Sequence, residues 1–179
     1  MPISGLNVNP WRRCLSIALI LLAGCADYQF TVNDKVVYRP APLFTGYEIT
    51  DPALRACVTQ HIEDQGITDA EALRDLNCSH AGIHNLTGLD VFASLERLKL
   101  SDNNIEDAAA LAVLPALREL GLDQNRLLRA DALLGLQTLE FLDLRANPGL
   151  ACSAIRALRS RAPLKILPPD QCRVDSGSS

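Results

Sequence analysis

Apolar and polar residues alternate through the middle of the chain with a fixed period of 22 residues. Four consecutive copies occupy residues 73–94, 95–116, 117–138 and 139–160. An apolar residue returns at the first, fourth and sixth place of each copy: Leu73, Leu76 and Cys78; Leu95, Leu98 and Leu100; Leu117, Leu120 and Leu122; Leu139, Leu142 and Leu144. Self-similarity at a period of about 20 to 50 residues indicates a stacked repeat architecture.

Each copy predicts a short strand, a sharp bend and a returning segment. The central L-x-L residues alternate between inward and outward positions, as the residues of a strand do. Asparagine holds the ninth place in three copies (Asn103, Asn125 and Asn147), and Ala81 holds it in the first. We expect each amide to point inward and satisfy backbone groups that the bend removes from the ladder. The second half of each copy has apolar residues at helical spacing, which predicts a return over the convex side.

The pattern L-x-x-L-x-L-x-x-N-x-[IL] resembles the leucine-rich repeat family in its 22-residue, internalin-like form. The resemblance implies an α/β solenoid, a short horseshoe segment of four to five coils with parallel strands on its concave side. One coil cannot bury its leucines alone, so neighbouring coils must stack. We expect the repeat domain to span residues 73–172, with residues 164–167 as a fifth strand and residues 173–179 as a disordered tail.

A helix is predicted immediately before the first copy. Asp51 is a suitable N-cap and Pro52 a suitable first helical residue. Residues at helical spacing that we expect to pack then continue towards Gly66: Leu54, Cys57, Val58, His61 and Ile62. We expect residues 51–72 to form a helical N-terminal cap, because the first coil of a solenoid otherwise exposes its apolar end.

The sequence of residues 1–24 predicts an export signal. Arg12 and Arg13 precede an apolar segment that is shorter than the roughly 20 residues needed to span a bilayer, which suits a signal peptide. The sequence LAGC, ending at Cys25, resembles the lipobox of bacterial lipoproteins. The resemblance implies cleavage before Cys25 and lipidation of its thiol, and Ala26 in the next place implies the outer membrane. An ordinary signal peptide followed by a chance cysteine is the alternative.

Residues 25–50 predict a tether. Apolar residues alternate with polar ones on both sides of Asn33 and Asp34, which predicts a β-hairpin. Pro40 and Pro42 then predict an extended linker. Two interpretations of the hairpin stay open: it packs on the flank of the solenoid, or it serves as a spacer or a strand-pairing edge.

Four cysteines remain outside the signal peptide and the lipidation site: Cys57, Cys78, Cys152 and Cys172. An even number in an exported chain predicts disulfides, and four cysteines allow three pairings. Cys78 takes an inward place in the first coil, facing the helix that carries Cys57. Cys152 and Cys172 fall about one strand spacing (~5 Å) apart, which suits a disulfide. We therefore predict Cys57–Cys78 and Cys152–Cys172, and the lack of a C-x-x-C pair argues against a zinc site.

Charge and motif content exclude several functions. The formal net charge is −4, and loss of Arg12 and Arg13 with the signal peptide makes it −6, which argues against a nucleic-acid surface. The chain has no glycine-rich phosphate loop, no H-E-x-x-H and no G-x-S-x-G. Its three histidines, His61, His80 and His84, have no spacing that suggests catalysis. We expect a monomer that is not an enzyme, without catalytic residues, cofactor or metal.

The outward strand positions form the predicted concave face, which five strands at ~4.8 Å spacing make about 20 Å long. Aromatic and arginine residues anchor many interfaces, so Phe141 with Arg97 and Arg145 is the first candidate anchor. The predicted ligand-binding residues of this face are Arg97, Lys99, Glu119, Asp123, Phe141, Asp143 and Arg145. A solvated sheet face with cross-strand charge pairs is the alternative.

Two functions follow from these alternatives. The first is a lipid-anchored recognition module that binds an unknown protein, peptide or glycan of the bacterial envelope. The second is a structural envelope protein whose repeats act as a rigid spacer. Because one fold serves many functions, the repeat alone does not choose between them.

Overall fold

The computed structural model describes residues 30–32, 35–38, 41–161 and 163–173. The predicted signal peptide, Cys25, the residues between the hairpin strands and most of the predicted tail lie outside this description. The chain divides into two compact units, Met1–Pro42 and Leu43–Ser179. No helix in the described part is both long and apolar enough to cross a membrane.

The first unit contains a pair of antiparallel strands, β1 (Phe30–Val32) and β2 (Lys35–Tyr38). They lie on either side of Asn33 and Asp34, where the sequence predicts a hairpin turn. The register shifts between Phe30 and Thr31, so the pairing is irregular at one end.

The second unit contains one parallel sheet of five strands in chain order. The strands are β3 (Asp75–Asn77), β4 (Arg97–Lys99), β5 (Glu119–Gly121), β6 (Phe141–Asp143) and β7 (Lys165–Leu167). From β3 to β6 each residue pairs with the one 22 places further on, and β6 pairs with β7 at an offset of 24. The register equals the repeat period because successive copies stack on one another. The ladder has the architecture of a solenoid.

The periodic leucines form the core between the coils. All twelve residues at the first, fourth and sixth places of the four copies are at most 2% exposed. Burying a leucine side chain is favourable by about 1.5 to 3 kcal/mol, so each coil depends on its neighbours for much of its stability. The sequence prediction that these leucines face one another inside the stack agrees with the structure.

The returning segments are short helices, and most of them are of the 3₁₀ type. In the first three copies they are 3₁₀ helices, at Leu89–Val91, Ala109–Val113 and Asp131–Gly135. Only the fourth copy returns through an α helix, α2 (Ser153–Arg159). A 22-residue coil leaves few residues for its return, and 3₁₀ helices are used in such short pieces.

The inward asparagines hold the bends together. The Asn103 amide donates to the carbonyls of Cys78 (3.0 Å) and Leu100 (2.9 Å), and its oxygen accepts from the N–H of Ile83 (2.9 Å). The next two asparagines repeat this arrangement one and two coils later. Each amide points inward and satisfies backbone groups at the bend, as the sequence predicts, and it also links its own coil to the preceding one.

Gln171 occupies the corresponding place in the fifth coil. It lies 24 residues after Asn147, the same offset that separates β6 from β7. Its amide donates to the carbonyls of Asn147 (2.8 Å), Pro148 (3.2 Å) and Leu150 (3.3 Å). The longer glutamine side chain thus links the fifth coil to the fourth, in place of an asparagine.

The residue before the ninth place of each of the four copies has a left-handed backbone conformation. His80, Asp102, Gln124 and Ala146 have φ values of 60°, 54°, 55° and 52°. This conformation costs an ordinary L-residue roughly 1–2 kcal/mol, and glycine avoids that cost. Ala146 has only a methyl group there, so nothing in its side chain compensates for the strain.

We therefore expect Ala146→Gly to raise the free energy of unfolding by roughly 0.5–1 kcal/mol. Ala157→Gly is the matched control, because Ala157 is exposed in helix α2, where glycine costs about 1 kcal/mol. Urea denaturation of both variants tests this. A loss of stability in Ala146→Gly would contradict the left-handed bend.

Helix α1 (Pro52–Gln65) precedes the sheet and buries Leu54, Val58 and Ile62. It ends at Gly66, whose φ of 63° is the left-handed conformation that glycine accepts at a helix C-terminus. Asp51 caps its start, with one carboxylate oxygen accepting from the N–H groups of Ala53 (2.9 Å) and Leu54 (3.0 Å).

Both predicted disulfides are present, one near each end of the stack. Cys57 of α1 bonds to Cys78 in the first coil, with the Cα atoms 5.8 Å apart. Cys152 bonds to Cys172, with the Cα atoms 5.3 Å apart. The two bridges tie the terminal segments to the coils that they cover.

Residues 44–49, which the sequence placed in the tether, pack on the first coil. The rings of Phe44 and Tyr47 lie 6.1 Å and 5.7 Å from the ring of Phe92, which is fully buried. Ile49 is also buried. Gly88 makes this approach possible, because a Cβ atom there would lie 2.2 Å from the carbonyl oxygen of Glu48. The folded part of the chain therefore begins before the predicted cap.

Candidate functional site: the outward face of the strands

The outward residues of β3–β7 form two rows across the sheet, which we call the strand face. Because the strands are parallel and in register, equivalent positions lie side by side. The first row is Asp75, Arg97, Glu119, Phe141 and Lys165, and the second is Asn77, Lys99, Gly121, Asp143 and Leu167. The predicted ligand residues Asp123 and Arg145 follow β5 and β6 at the next outward positions. The structure thus brings all seven predicted ligand residues together on one face.

Two of the predicted anchors already have partners within the face. Arg97 binds Asp75 of the neighbouring strand, with Nη2 2.6 Å from the carboxylate. Arg145 donates two hydrogen bonds to the Asp143 carboxylate, from Nε to Oδ1 (2.9 Å) and from Nη2 to Oδ2 (2.6 Å). The hydrogen bond and the negative charge of Asp143 raise the pKa of Arg145. Some of the N–H donors of both guanidinium groups are therefore already hydrogen-bonded within the protein.

Asp143 is less accessible than the sequence suggested. It is 6% exposed, because the Arg145 side chain lies against its carboxylate. Its oxygen also accepts from the backbone N–H of Arg145 (3.1 Å). Alternation along a strand predicts that Asp143 points outward, and the structure agrees. Its carboxylate, however, is bound by the backbone N–H and the guanidinium of Arg145 in the adjacent bend.

Phe141 is half-buried and has a cation above it. The Lys165 ammonium lies 5.8 Å from the centre of the ring, within the range of a cation–π contact. Sequence reasoning included Phe141 but not Lys165, because the fifth strand lies outside the 22-residue period.

A depression of about 200 Å³ lies at the centre of the face, lined by residues of β4, β5 and β6. Gly121 of β5, which has no side chain, is part of its lining. The charged residues around this space are Arg97, Lys99, Glu119, Asp123 and Asp143. A second depression of about 200 Å³ lies beside it, between His61 of α1 and the outward residues of β3–β5. The face can therefore accept side chains of a ligand as well as contact its backbone.

The geometry does not assemble a hydrolytic triad. Ser79 Oγ donates to Asn77 (2.8 Å), whereas His80 Nδ1 lies 2.7 Å from Asp102. His84 contributes its backbone N–H to Asp51. Within residues 41–161 and 163–173 no three His, Cys, Asp or Glu side chains cluster in a way that could hold a metal ion.

Asp51 fixes helix α1 against the first coil and thereby sets one wall of the second depression. Its other oxygen accepts from the N–H groups of His84 (2.9 Å) and Asn85 (3.0 Å). Burial alone raises the pKa of this carboxyl, but the four backbone N–H groups outweigh burial and lower the pKa below its ordinary value. One buried carboxylate thus joins two segments that are 33 residues apart.

The 22-residue repeat, the parallel ladder in the same register and the inward asparagine at three of the bends are features of the leucine-rich repeat fold. Two internalins from Listeria monocytogenes have similar structures. Internalin C2 is 27% identical with a TM-score of 0.51, and the match covers 60% of this chain and 52% of that one. Internalin F is 25% identical with a TM-score of 0.50, covering 60% and 33%. This chain matches only about half and a third of their respective lengths. No protein-family model and no curated protein matches the chain.

Proposed function

We propose that this protein is a protein-binding module that is anchored by lipid at the bacterial cell envelope and binds its partner through the strand face. The observation that carries the proposal is the depression at Gly121, at the centre of five parallel strands. The likeness to internalins supports a binding role for the repeat. In this proposal the protein is a monomer without enzymatic activity, and helix α1 serves as an N-terminal cap of the repeats.

Anchoring is supported by the LAGC sequence ending at Cys25. The two disulfides support export, because such bonds persist in oxidising compartments. Ala26 favours the outer membrane, and the proposal leaves open which face of that membrane carries the protein.

Metabolic labelling with palmitate in a bacterial host tests the anchor. We expect the wild-type protein to carry label and to fractionate with outer membranes, and Cys25→Ser to lose both properties. Cys14→Ser is the matched control, since Cys14 lies in the segment that cleavage removes. Unlabelled, soluble wild-type protein would contradict the anchor.

Filling the depression tests the binding site. A Cβ atom at Gly121 meets nothing closer than Ser101 Oγ at 3.4 Å, so the backbone accepts Gly121→Gln while the side chain occupies the space. We expect this variant to keep its melting temperature and to lose the protein that cross-links to the wild type in native membranes.

Gly135→Gln is the control for that experiment. Gly135 is exposed at the end of a 3₁₀ helix on the returning side, and a Cβ atom there has ordinary contacts. This variant should keep the cross-linked partner. An equal yield of partner from both variants would refute binding through the strand face.

A structural spacer is the second candidate function. The ion pairs of Arg97 with Asp75 and of Arg145 with Asp143 favour it, because they satisfy charges of the face without a ligand. In that case Phe141→Ala, Arg97→Ala and Arg145→Ala leave every cross-linked partner unchanged. Under the binding proposal, Phe141→Ala reduces capture.

A further inference from the structure

The first row of the strand face contains one charge without a partner. Arg97 turns towards Asp75, and Lys165 lies over the ring of Phe141. Glu119 stands between these two pairs, and among the described residues it forms no ion pair. The carboxylate is exposed, so it can meet a cation from outside the chain.

The second row leaves one charge of the opposite sign. Asp143 is taken by Arg145, and the immediate neighbours of Lys99 in the row are Asn77 and Gly121, which carry no charge. Within the part of the chain that the structure describes, Lys99 also forms no ion pair. Its ammonium is exposed beside the depression.

Three charged residues, Arg97, Lys99 and Glu119, line both depressions of the face. Arg97 pairs with Asp75, so Lys99 and Glu119, on adjacent strands, are the two of them that form no ion pair among the described residues. They do not pair with each other, although their charges are opposite. A ligand that spans the two depressions therefore meets both the Lys99 ammonium and the Glu119 carboxylate, whereas Asp123 lines only the first depression.

The spacing of these two residues matches that of an extended peptide. Strands about 4.8 Å apart and residues two places apart along a strand, about 6.6 Å, put the two Cα atoms roughly 8 Å from each other. Alternate side chains of an extended chain are also about 7 Å apart and point to the same side. A peptide thus places residues i and i+2 over Glu119 and Lys99 together.

We propose that the strand face recognises an extended segment of a protein that carries a basic and an acidic side chain two residues apart. The basic group pairs with Glu119 and the acidic group with Lys99. This inference rests on the proposed function, and it adds the chemistry of the partner. It favours a peptide over a neutral glycan, because only the peptide supplies both charges at this spacing.

Synthetic peptides test the chemistry directly. Four peptides of equal length contain Glu-Thr-Lys, Lys-Thr-Lys, Glu-Thr-Glu or Gln-Thr-Gln in an otherwise identical uncharged extended sequence. Their dissociation constants for the full-length protein in detergent are measured at low and high salt. We expect the mixed-charge peptide to bind roughly fivefold more tightly than the others, an advantage that salt removes.

Charge reversal should redirect this preference. Lys99→Glu should make the Lys-Thr-Lys peptide the tightest ligand, and Glu119→Lys should do the same for Glu-Thr-Glu. Both residues are exposed, so we expect unchanged melting temperatures. Arg118→Glu, on an exposed residue paired with Glu140, is the control and should leave the ranking of the wild type unchanged.

The same ranking of peptides in all variants would overturn the inference, as would equal binding of the mixed and uncharged peptides. If Gly121→Gln still loses its partner in native membranes, the strand face remains the binding site and only the charge chemistry fails. If Gly121→Gln also keeps its partner, the proposed function fails as well. Capture of a neutral glycan instead of a protein would also overturn the inference.

Discussion

Replacing Asn103 by aspartate should lower the free energy of unfolding by about 3–5 kcal/mol. The Asn103 amide nitrogen donates to the carbonyls of Cys78 and Leu100 in a buried bend. Aspartate has nearly the same shape but presents an oxygen to these carbonyl oxygens. The variant therefore leaves two buried acceptors without donors and places a carboxylate where it is repelled.

Urea denaturation measured by circular dichroism checks this prediction, with Asn104→Asp as the matched control. Asn104 is the next residue in the chain, is only half-buried, and makes no side-chain hydrogen bond to the described residues. We expect its substitution to change stability by less than about 0.5 kcal/mol. Equal effects of the two substitutions would show that the inward amide does not hold the coils together.

Replacing Asp51 by asparagine should cost about 2–4 kcal/mol. An asparagine oxygen can still cap helix α1 by accepting from Ala53 and Leu54. Its NH₂ group would then face the N–H groups of His84 and Asn85, so two donors lose their acceptor. Asp69→Asn is the control, because Asp69 caps an exposed 3₁₀ turn, where it accepts from the N–H of Ala72 and from the Thr68 hydroxyl. That control should change stability by less than about 0.5 kcal/mol.

The Asp51 effect should depend on pH in one direction. The pKa of this carboxyl is lower in the folded protein than its ordinary value of 3.8. Its stabilising contribution is therefore complete above the unfolded pKa and is lost as the pH falls through the folded pKa. The difference in stability between wild type and Asp51→Asn should be constant from about pH 5 to 8 and shrink below about pH 4. A difference that grows towards low pH would contradict the hydrogen-bonded carboxylate.

The periodic part of the fold could be predicted from the sequence because one rule governs every coil. Leucine at fixed places requires burial by neighbouring coils, and asparagine at the bend is the side chain that serves both donors and acceptors there. The disulfides followed because Cys78 replaces a leucine that must face helix α1. Each of these inferences depends only on which residues take equivalent positions in successive coils. The 22-residue period shows this directly in the sequence.

The non-periodic contacts could not be predicted in this way. The second oxygen of the Asp51 carboxylate accepts from the backbone N–H of His84, 33 residues further along the chain. No local sequence pattern predicts such a contact. Residues 44–49 pack through Phe44 and Tyr47 without helical or strand periodicity. Gln171 was missed because β7 follows β6 by 24 residues, two more than the repeat period.

The candidate site shows the same division. Alternation along the strands identified which residues point outward, and the structure places them there. The ion-pair partner of each charged residue depends on which neighbouring strand its side chain turns towards. The sequence does not determine that direction. Arg97 could pair with Asp75 on one side or Glu119 on the other, and it pairs with Asp75. That choice leaves Glu119 without an ion pair among the described residues.

Amide hydrogen exchange, resolved by residue, tests most directly whether the repeats form one continuous stack. In the structure the N–H groups of Cys78, Leu100, Leu122 and Leu144 each donate to the next coil, at 2.8 to 2.9 Å. We predict strong protection at these four amides, recurring every 22 residues, and faster exchange at the amides between them that donate no hydrogen bond. Protection without this period, or rapid exchange at Leu100 and Leu122 in the middle of the stack, would contradict the parallel ladder on which the binding face is built.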